Sequence, residues 1–271
     1  MQTIAVDGGA LAYADDGAGS AVVLIHGFLL DHSIWDGIVP RLASRARVLR
    51  PDVRGLGRSS VTPGPYLVEG LAADVAALLD AKQIETATIV GHSLGGYIAL
   101  AFFRMYRERV TALSLVGSRF APDTEAAARE RYALADRAER EGIAPIVDAF
   151  LPRFFAKNVY SENPKLVAST KRLCERTDPH GAAAILRGAA QRVDARDLVE
   201  DIDVPFLFAM GDEDAIMGQH EAEDLVPQIR SAKLLRLAGC GHMPMLEAGD
   251  QLAGGLGALL ESAGKSIAGS W

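Results

Sequence analysis

Cysteine is scarce in this chain of 271 residues, which carries only Cys174 and Cys240. They show no CxxC spacing and no flanking histidine cluster, so a disulfide scaffold is excluded and no metal site is expected. Positive charge is also in short supply: 28 Lys and Arg stand against 35 Asp and Glu, for a net charge of −7. The cations are scattered among acids, so no face can neutralise a phosphate backbone, and nucleic acid is not an expected partner. No uninterrupted apolar run approaches the roughly 18 residues of a membrane span. The opening Met1-Gln2-Thr3-Ile4-Ala5-Val6-Asp7 has neither a charged leader nor an apolar stretch, so a cytoplasmic protein without membrane contact is expected. Internal repeats, low-complexity tracts and Pro/Ser linkers are missing too, which weighs against a solenoid or a tethered two-domain chain.

What is present fits one folded core. Apolar residues make up 49% and charged residues 23% of the chain, an ordinary globular balance. Short β-branched and apolar runs recur at residues 21–25, 47–50, 87–90 and 112–116, and each reads as a buried strand. Helix-period segments lie between them at residues 71–79 and 96–103. This alternation implies a mainly parallel sheet covered by helices on both faces. Ile4-Ala5-Val6, then Gly8-Gly9, then Leu11-Ala12-Tyr13 reads as an antiparallel N-terminal hairpin, because paired glycines supply the positive φ of a tight turn.

From residue 123 to about 202 only helical periods occur, including residues 124–140 and the stripe Ile146, Val147, Phe150, Leu151, Phe154, Phe155. Strand character resumes at residues 204–210 and 232–237. The expected division is therefore an α/β core of residues 1–118 and 203–263, interrupted by a helical cap at 119–202. A last helix is expected over 250–262, against the cost of Gly254, Gly255 and Gly257. The tail 264–271 is expected to fray.

Gly91-His92-Ser93-Leu94-Gly95 matches G-x-S-x-G. With 27 glycines in the chain the bare pattern says little; the strand before it and the apolar helix after it are what give it weight. A serine on a sharp strand-to-helix turn is strained, and side chains two residues either side would collide, hence the glycines. The turn exposes Oγ, and the N-terminus of the following helix favours negative charge beside it. A serine hydroxyl needs a base. His242, in Gly239-Cys240-Gly241-His242-Met243-Pro244 just past a strand, is better placed than His92, next to the serine, or His180 and His220, in or beside helical segments. Cys240 is a poorer-placed nucleophile than Ser93. The base needs a carboxylate to fix its tautomer, and Gly211-Asp212-Glu213-Asp214 follows the strand 204–210; Asp214 is favoured, with Asp212 the alternative. His26-Gly27-Phe28 follows the strand 21–25, so the backbone N–H groups of Phe28 and Leu94 are the expected oxyanion donors. His26 is expected to brace that loop. Phe150, Phe154 and Phe155 are candidates for an apolar substrate pocket, with packing of the cap as the competing use.

Together these residues resemble the α/β-hydrolase superfamily of serine hydrolases. The match runs along nearly the whole chain: His26-Gly27-Phe28, the loop Asp52-Val53-Arg54-Gly55-Leu56-Gly57-Arg58-Ser59, the Ser93 elbow, Asp214 and His242. Within the superfamily the chain is similar to small bacterial carboxylesterases and to 3-oxoadipate enol-lactonase-like proteins. It departs from haloalkane dehalogenases, which the resemblance implies carry Asp where Ser93 stands, and from hydroxynitrile lyases, which carry Lys where Met243 stands. Met217-Gly218 stands where the family commonly has a proline after the acid. The resemblance implies cleavage of a small-molecule carboxylic ester or lactone through an acyl-enzyme, without metal or organic cofactor. A C–C bond hydrolase or a cofactor-free perhydrolase would reuse the same triad, and a non-catalytic ligand receptor would reuse the same fold.

Overall fold

The computed structural model describes residues 1–218 and 220–268. Eight strands form one sheet: β1 (Gln2–Val6), β2 (Gly9–Gly17), β3 (Ala21–Ile25), β4 (Arg47–Pro51), β5 (Ala87–His92), β6 (Val110–Val116), β7 (Phe206–Gly211) and β8 (Ala232–Leu237). Their order is β1-β2-β4-β3-β5-β6-β7-β8. The hairpin strands β1 and β2 are antiparallel to each other, and β2 is antiparallel to β4. All other neighbours are parallel.

Eleven helices lie among the described residues. Those of the core are α1 (Val39–Ala43), α2 (Val68–Ala81) and α3 (Leu94–Met105), followed after the insertion by α9 (His220–Leu225), α10 (Pro244–Glu247) and α11 (Gly249–Ala268). The insertion between β6 and β7 carries α4 (Glu125–Glu141), α5 (Ala144–Phe150), α6 (Val159–Glu162), α7 (Pro164–Cys174) and α8 (Pro179–Ala189).

All five residues of β3 are buried because both faces of the sheet are covered. Strand alternation divides them: Val23 and Ile25 join the cluster containing Leu71, Val75, Ile98 and Phe102 of α2 and α3. Val22 and Leu24 join the opposite cluster, with Leu42 of α1 and Leu252, Leu256 and Leu259 of α11. The insertion packs α4 on α8, where buried Ala135 and Ala138 face a helix whose Ala182 and Ala183 are also buried. Small side chains there allow close approach of the two helices.

Several elements differ in their limits from the sequence expectation. The stripe 146–155 is not one helix: α5 ends at Phe150 and a 3-10 turn, Leu151–Arg153, follows. Pro152 lacks the N–H that would continue the α-helical ladder. The strand expected from Val204 starts at Phe206, after Pro205, which has no donor for a ladder. The last helix is longer than expected and runs to Ala268, so residues 264–268 of the supposed frayed tail continue it; residues 269–271 lie outside the described residues.

Candidate active site

Ser93 sits between the last residue of β5 and the first of α3 with φ 53° and ψ −113°. A non-glycine residue held there stores about 1–3 kcal/mol of strain, which the surroundings must fix. A Cβ on Gly91 would stand 2.0 Å from the Gly95 carbonyl oxygen, and one on Gly95 would stand 2.3 Å from that of Ile25. Only glycine at both positions lets α3 leave the sheet this sharply. Ser93 N–H donates to Val116 O (3.0 Å), and the Ser118 hydroxyl donates to Ser93 O (2.8 Å). The elbow is thereby tied to the end of β6.

The loop after β8 brings His242 to the loop after β7. His242 Nδ1 lies 2.8 Å from Asp214 Oδ2, with side chains only 2% and 1% exposed. The other carboxylate oxygen, Oδ1, accepts from the N–H groups of Ile216 (2.8 Å) and Met217 (2.9 Å). Burial acts to raise the Asp214 carboxyl, but the charge and hydrogen bond of His242 and these two N–H groups outweigh it and hold it below the usual carboxylate value. An ionised Asp214 accepts from Nδ1–H, which leaves the Nε2 lone pair of neutral His242 unclaimed by it. A Cβ on Gly117 would come within 3.3 Å of both Asp214 Oδ2 and His242 Nδ1, so the pair rests on the C-terminal end of β6. Asp212, the alternative acid, faces another way: its Oδ1 lies 3.4 Å from Cys240 N.

Ser93 and His242 line one narrow cavity, partly open to solvent, with Phe28, Leu94, Phe150, Phe154, Ile216 and Met217 among its other walls. The Phe28 loop passes directly beside the serine, since a Cβ on Gly27 would lie 3.2 Å from Ser93 Cβ. Neither Phe28 N–H nor Leu94 N–H has a hydrogen-bond acceptor among the described residues. His26 is fully buried; Nδ1 bonds Gly27 O (2.8 Å) and Nε2 accepts from Val53 N–H (2.9 Å). It therefore links the Phe28 loop to the loop after β4. His92 is buried in the wall of the same cavity and donates Nε2–H to the His242 carbonyl (2.8 Å).

The matched sequence family is described as alpha/beta hydrolase fold and covers residues 20–249. This chain belongs to the α/β-hydrolase family. Among relatives of the hydrolase, a pimeloyl-[acyl-carrier protein] methyl ester esterase of Neisseria meningitidis is 30% identical over 86% of this chain and 90% of that one. A 3-oxoadipate enol-lactonase of Acinetobacter baylyi is 30% identical over 72% of each chain. A match to uncharacterized proteins of Mycobacterium tuberculosis and Mycobacterium bovis, at 37% identity, spans only 35% of their length. Among solved structures, a thermophilic esterase from Thermogutta terrifontis superposes with TM-score 0.93 at 31% identity, covering 97% of this chain and 99% of that one. The enol-lactonase of Burkholderia xenovorans LB400 gives 0.89 at 28% identity, covering 96% and 100%. Esterase- and lactonase-type α/β hydrolases are thus among the relatives of this protein. No helix among its described residues is long and apolar enough to cross a membrane.

Of the three phenylalanines expected in the pocket of the hydrolase, Phe150 and Phe154 line it and Phe155 does not. Phe155 packs edge-on against Tyr160 at 6.0 Å between ring centres, inside the insertion. Phe154 and Phe155 lie at the irregular exit of the 3-10 turn, where consecutive side chains diverge and no helical period applies. Sequence reasoning also missed Tyr97, Arg119 and Arg131, which line the same cavity. Arg119 stands just past the C-terminal end of β6, where ligand-facing residues of parallel sheets collect, and that position was its available signal. A second omission is Glu247, whose half-buried carboxylate accepts from the N–H groups of Ala156 (2.8 Å), Gly241 (3.0 Å) and Met243 (3.0 Å).

One group among the described residues has metal-ligand spacing: Asp31, His32 and Asp52. Its ligand atoms are already engaged. Asp52 accepts from His32 N–H and Arg58 N–H and bonds His32 Nδ1, while Asp31 accepts from Ser33 and Arg176. The arrangement pins the Asp52–Ser59 loop rather than leaving an open coordination shell.

Proposed function

We propose that this α/β hydrolase cleaves a carboxylic ester or lactone through an acyl-enzyme on Ser93. The observation that carries this reading is the buried 2.8 Å contact between His242 Nδ1 and Asp214 Oδ2 in the cavity that Ser93 opens into. In the first step the Ser93 hydroxyl oxygen attacks the carbonyl carbon while His242 Nε2 takes its proton. Asp214 keeps Nδ1 protonated and stabilises the imidazolium. The carbonyl oxygen gathers negative charge against the N–H groups of Phe28 and Leu94, each donor being worth about 10²–10³ in rate. Collapse expels the alcohol, which leaves with the proton from His242. In the second step water, deprotonated by the same imidazole, attacks the acyl carbon and releases the acid. No cofactor or metal enters this balance.

Residues 119–202 serve as a cap in this reading, with Phe150 and Phe154 forming part of the apolar acyl wall. The esterase and enol-lactonase relatives support this substrate class without choosing between ester and lactone. Replacing Ser93 with Ala is expected to abolish hydrolysis of 4-nitrophenyl acetate while circular dichroism and melting stay those of the parent. Unchanged turnover in that variant would discard Ser93 as nucleophile.

A further inference from the structure

The walls of the cavity are apolar except at one end. Leu30, Phe150, Phe154, Ile185, Ala189 and Met217 surround a space whose only formal charges among the described residues, apart from its histidines, belong to Arg119 and Arg131. Among the described residues no acidic side chain lines it, in a protein whose net charge is −7. Placing cations in the pocket of an acidic protein runs against its average composition and needs a local reason.

Pairing within the protein supplies part of that reason. Asp123, with its side chain 1% exposed, bonds Arg131 Nε (2.5 Å) through Oδ2 and the same oxygen meets Arg192 Nη1 at 2.8 Å. Arg192 in turn stacks its guanidinium over the Tyr97 ring at 4.1 Å. Two arginines therefore satisfy the buried carboxylate at short range. Arg119 adds only a longer contact, Nη2 to Asp123 Oδ1 at 3.2 Å, its Nε is buried with no partner, and its side chain stays one-third exposed. Glu221, the other nearby acid, is turned to the N–H groups of Phe120 and Ala121. Glu69 and Arg104 share a second pocket with Arg119 and Arg192, so the excess of positive charge belongs to the lining of the active-site cavity alone. A partly exposed guanidinium with an unused donor suits an anion, because a planar fork pairs two N–H groups with one carboxylate.

We infer that Arg119 binds a carboxylate carried by the substrate away from its scissile carbonyl, so that the hydrolase selects anionic, monoester-like or carboxylate-bearing lactone substrates over neutral ones. This rests on the Ser93 reading above. Asp123, itself gripped by Arg131 and Arg192, contacts Arg119, and Tyr97 lines the cavity with it. In this reading an unbranched methylene chain joins the two ends of the substrate along the apolar walls between Ser93 and Arg119.

The test compares mono-4-nitrophenyl adipate and suberate with the same esters methyl-capped at the far carboxyl. The wild-type enzyme is expected to favour the better-fitting free acid over its capped form by about 10- to 100-fold in kcat/KM, the worth of a charged hydrogen bond. In Arg119→Met that preference disappears, while the capped ester keeps its kcat/KM within about threefold; a merely structural arginine would lower both alike. Arg119→Lys, which keeps the charge, should retain a weaker preference and covers the case in which the methionine variant does not fold. Equal or better turnover of the capped esters by the wild type overturns the inference and leaves the Ser93 mechanism intact. Failure of the Ser93 reading shows itself differently, as undiminished turnover of every ester by Ser93→Ala. In either case adipate binding is read directly from the melting temperature: it should rise with adipate, not with 1,6-hexanediol, and not in Arg119→Met. A rise that survives in that variant counts against the site.

Discussion

The loop that presents His242 is held by a carboxylate that the chemistry does not consume. Glu247 gathers three N–H groups, from Ala156 on the insertion and from Gly241 and Met243 on either side of the histidine. Burial pushes its carboxyl up against these three bonds, which favour the charged form. His242 N–H itself donates to Phe154 O (2.9 Å), so the imidazole and the insertion share one anchor. In Glu247→Gln the amide NH₂ would face N–H donors, and the loop would shift. We expect kcat to fall by about 10- to 100-fold with KM changed little, since small misplacements of a general base are costly. An unchanged kcat would show that Glu247 stabilises the loop without positioning the base. Asp214→Asn keeps the shape but removes the charge that selects the Nδ1–H tautomer, and kcat is expected to fall by about 10³- to 10⁴-fold. Steady-state kinetics on one neutral ester measures both variants.

At the scale of elements, the close contact of α3 with β3 decides where the serine stands. Gly95→Ala would drive a Cβ into the Ile25 carbonyl oxygen, a backbone atom that cannot yield. Gly70 in α2 has open space around its virtual Cβ. Gly95→Ala is therefore expected to lose both stability and activity, whereas Gly70→Ala should gain about 0.4–1 kcal/mol and keep its activity. Urea titration with an ester assay on the same samples separates the two outcomes. The elbow was legible in the sequence because its parts are contiguous: a strand, Gly91, Ser93, Gly95 and an apolar helix all fall within one short window. The pairing of His242 with Asp214 was legible only as a choice between two acids. What decides it is a turn in which the N–H groups of Ile216 and Met217 grip Asp214 Oδ1, and nothing in Gly211-Asp212-Glu213-Asp214 announces that turn. The divergence of Phe154 from Phe155 was hidden for a similar reason, since an irregular exit from a 3-10 turn has no period to read. Arg119 escaped because its meaning depends on Asp123, Arg131 and Arg192, three residues brought to it by folding of the insertion.

For the molecule as a whole, buried imidazoles tie stability to pH. His92 is fully buried beside His242, and burial together with that neighbour pushes its pKa down to about 3 from an ordinary value of 6.5. Burial lowers His26 as well. As pH falls below 6.5 the unfolded chain takes up these protons before the folded chain does, so stability should fall through the window from 6.5 to about 3. Each such group contributes a slope of about 1.4 kcal/mol per pH unit. His32 acts with the opposite sign: its hydrogen bond to Asp52 raises its pKa, and the associated stabilisation is complete below 6.5 and fades as pH rises through the raised value. Urea unfolding between about pH 7 and 5 should show the acid-side loss, and His92→Asn should flatten it; an equal slope in that variant would remove His92 from the account.

In the proposed mechanism every step passes through one covalent bond to the hydroxyl oxygen at the β5–α3 turn. The direct measurement is to quench the enzyme in acid during turnover of 4-nitrophenyl acetate and locate the acyl group by peptide mass mapping. Acetyl on Ser93, absent from Ser93→Ala, is the predicted result. Steady turnover with the acetyl group elsewhere, such as on the buried thiol of Cys240, or with no acyl-protein formed at all, would contradict it.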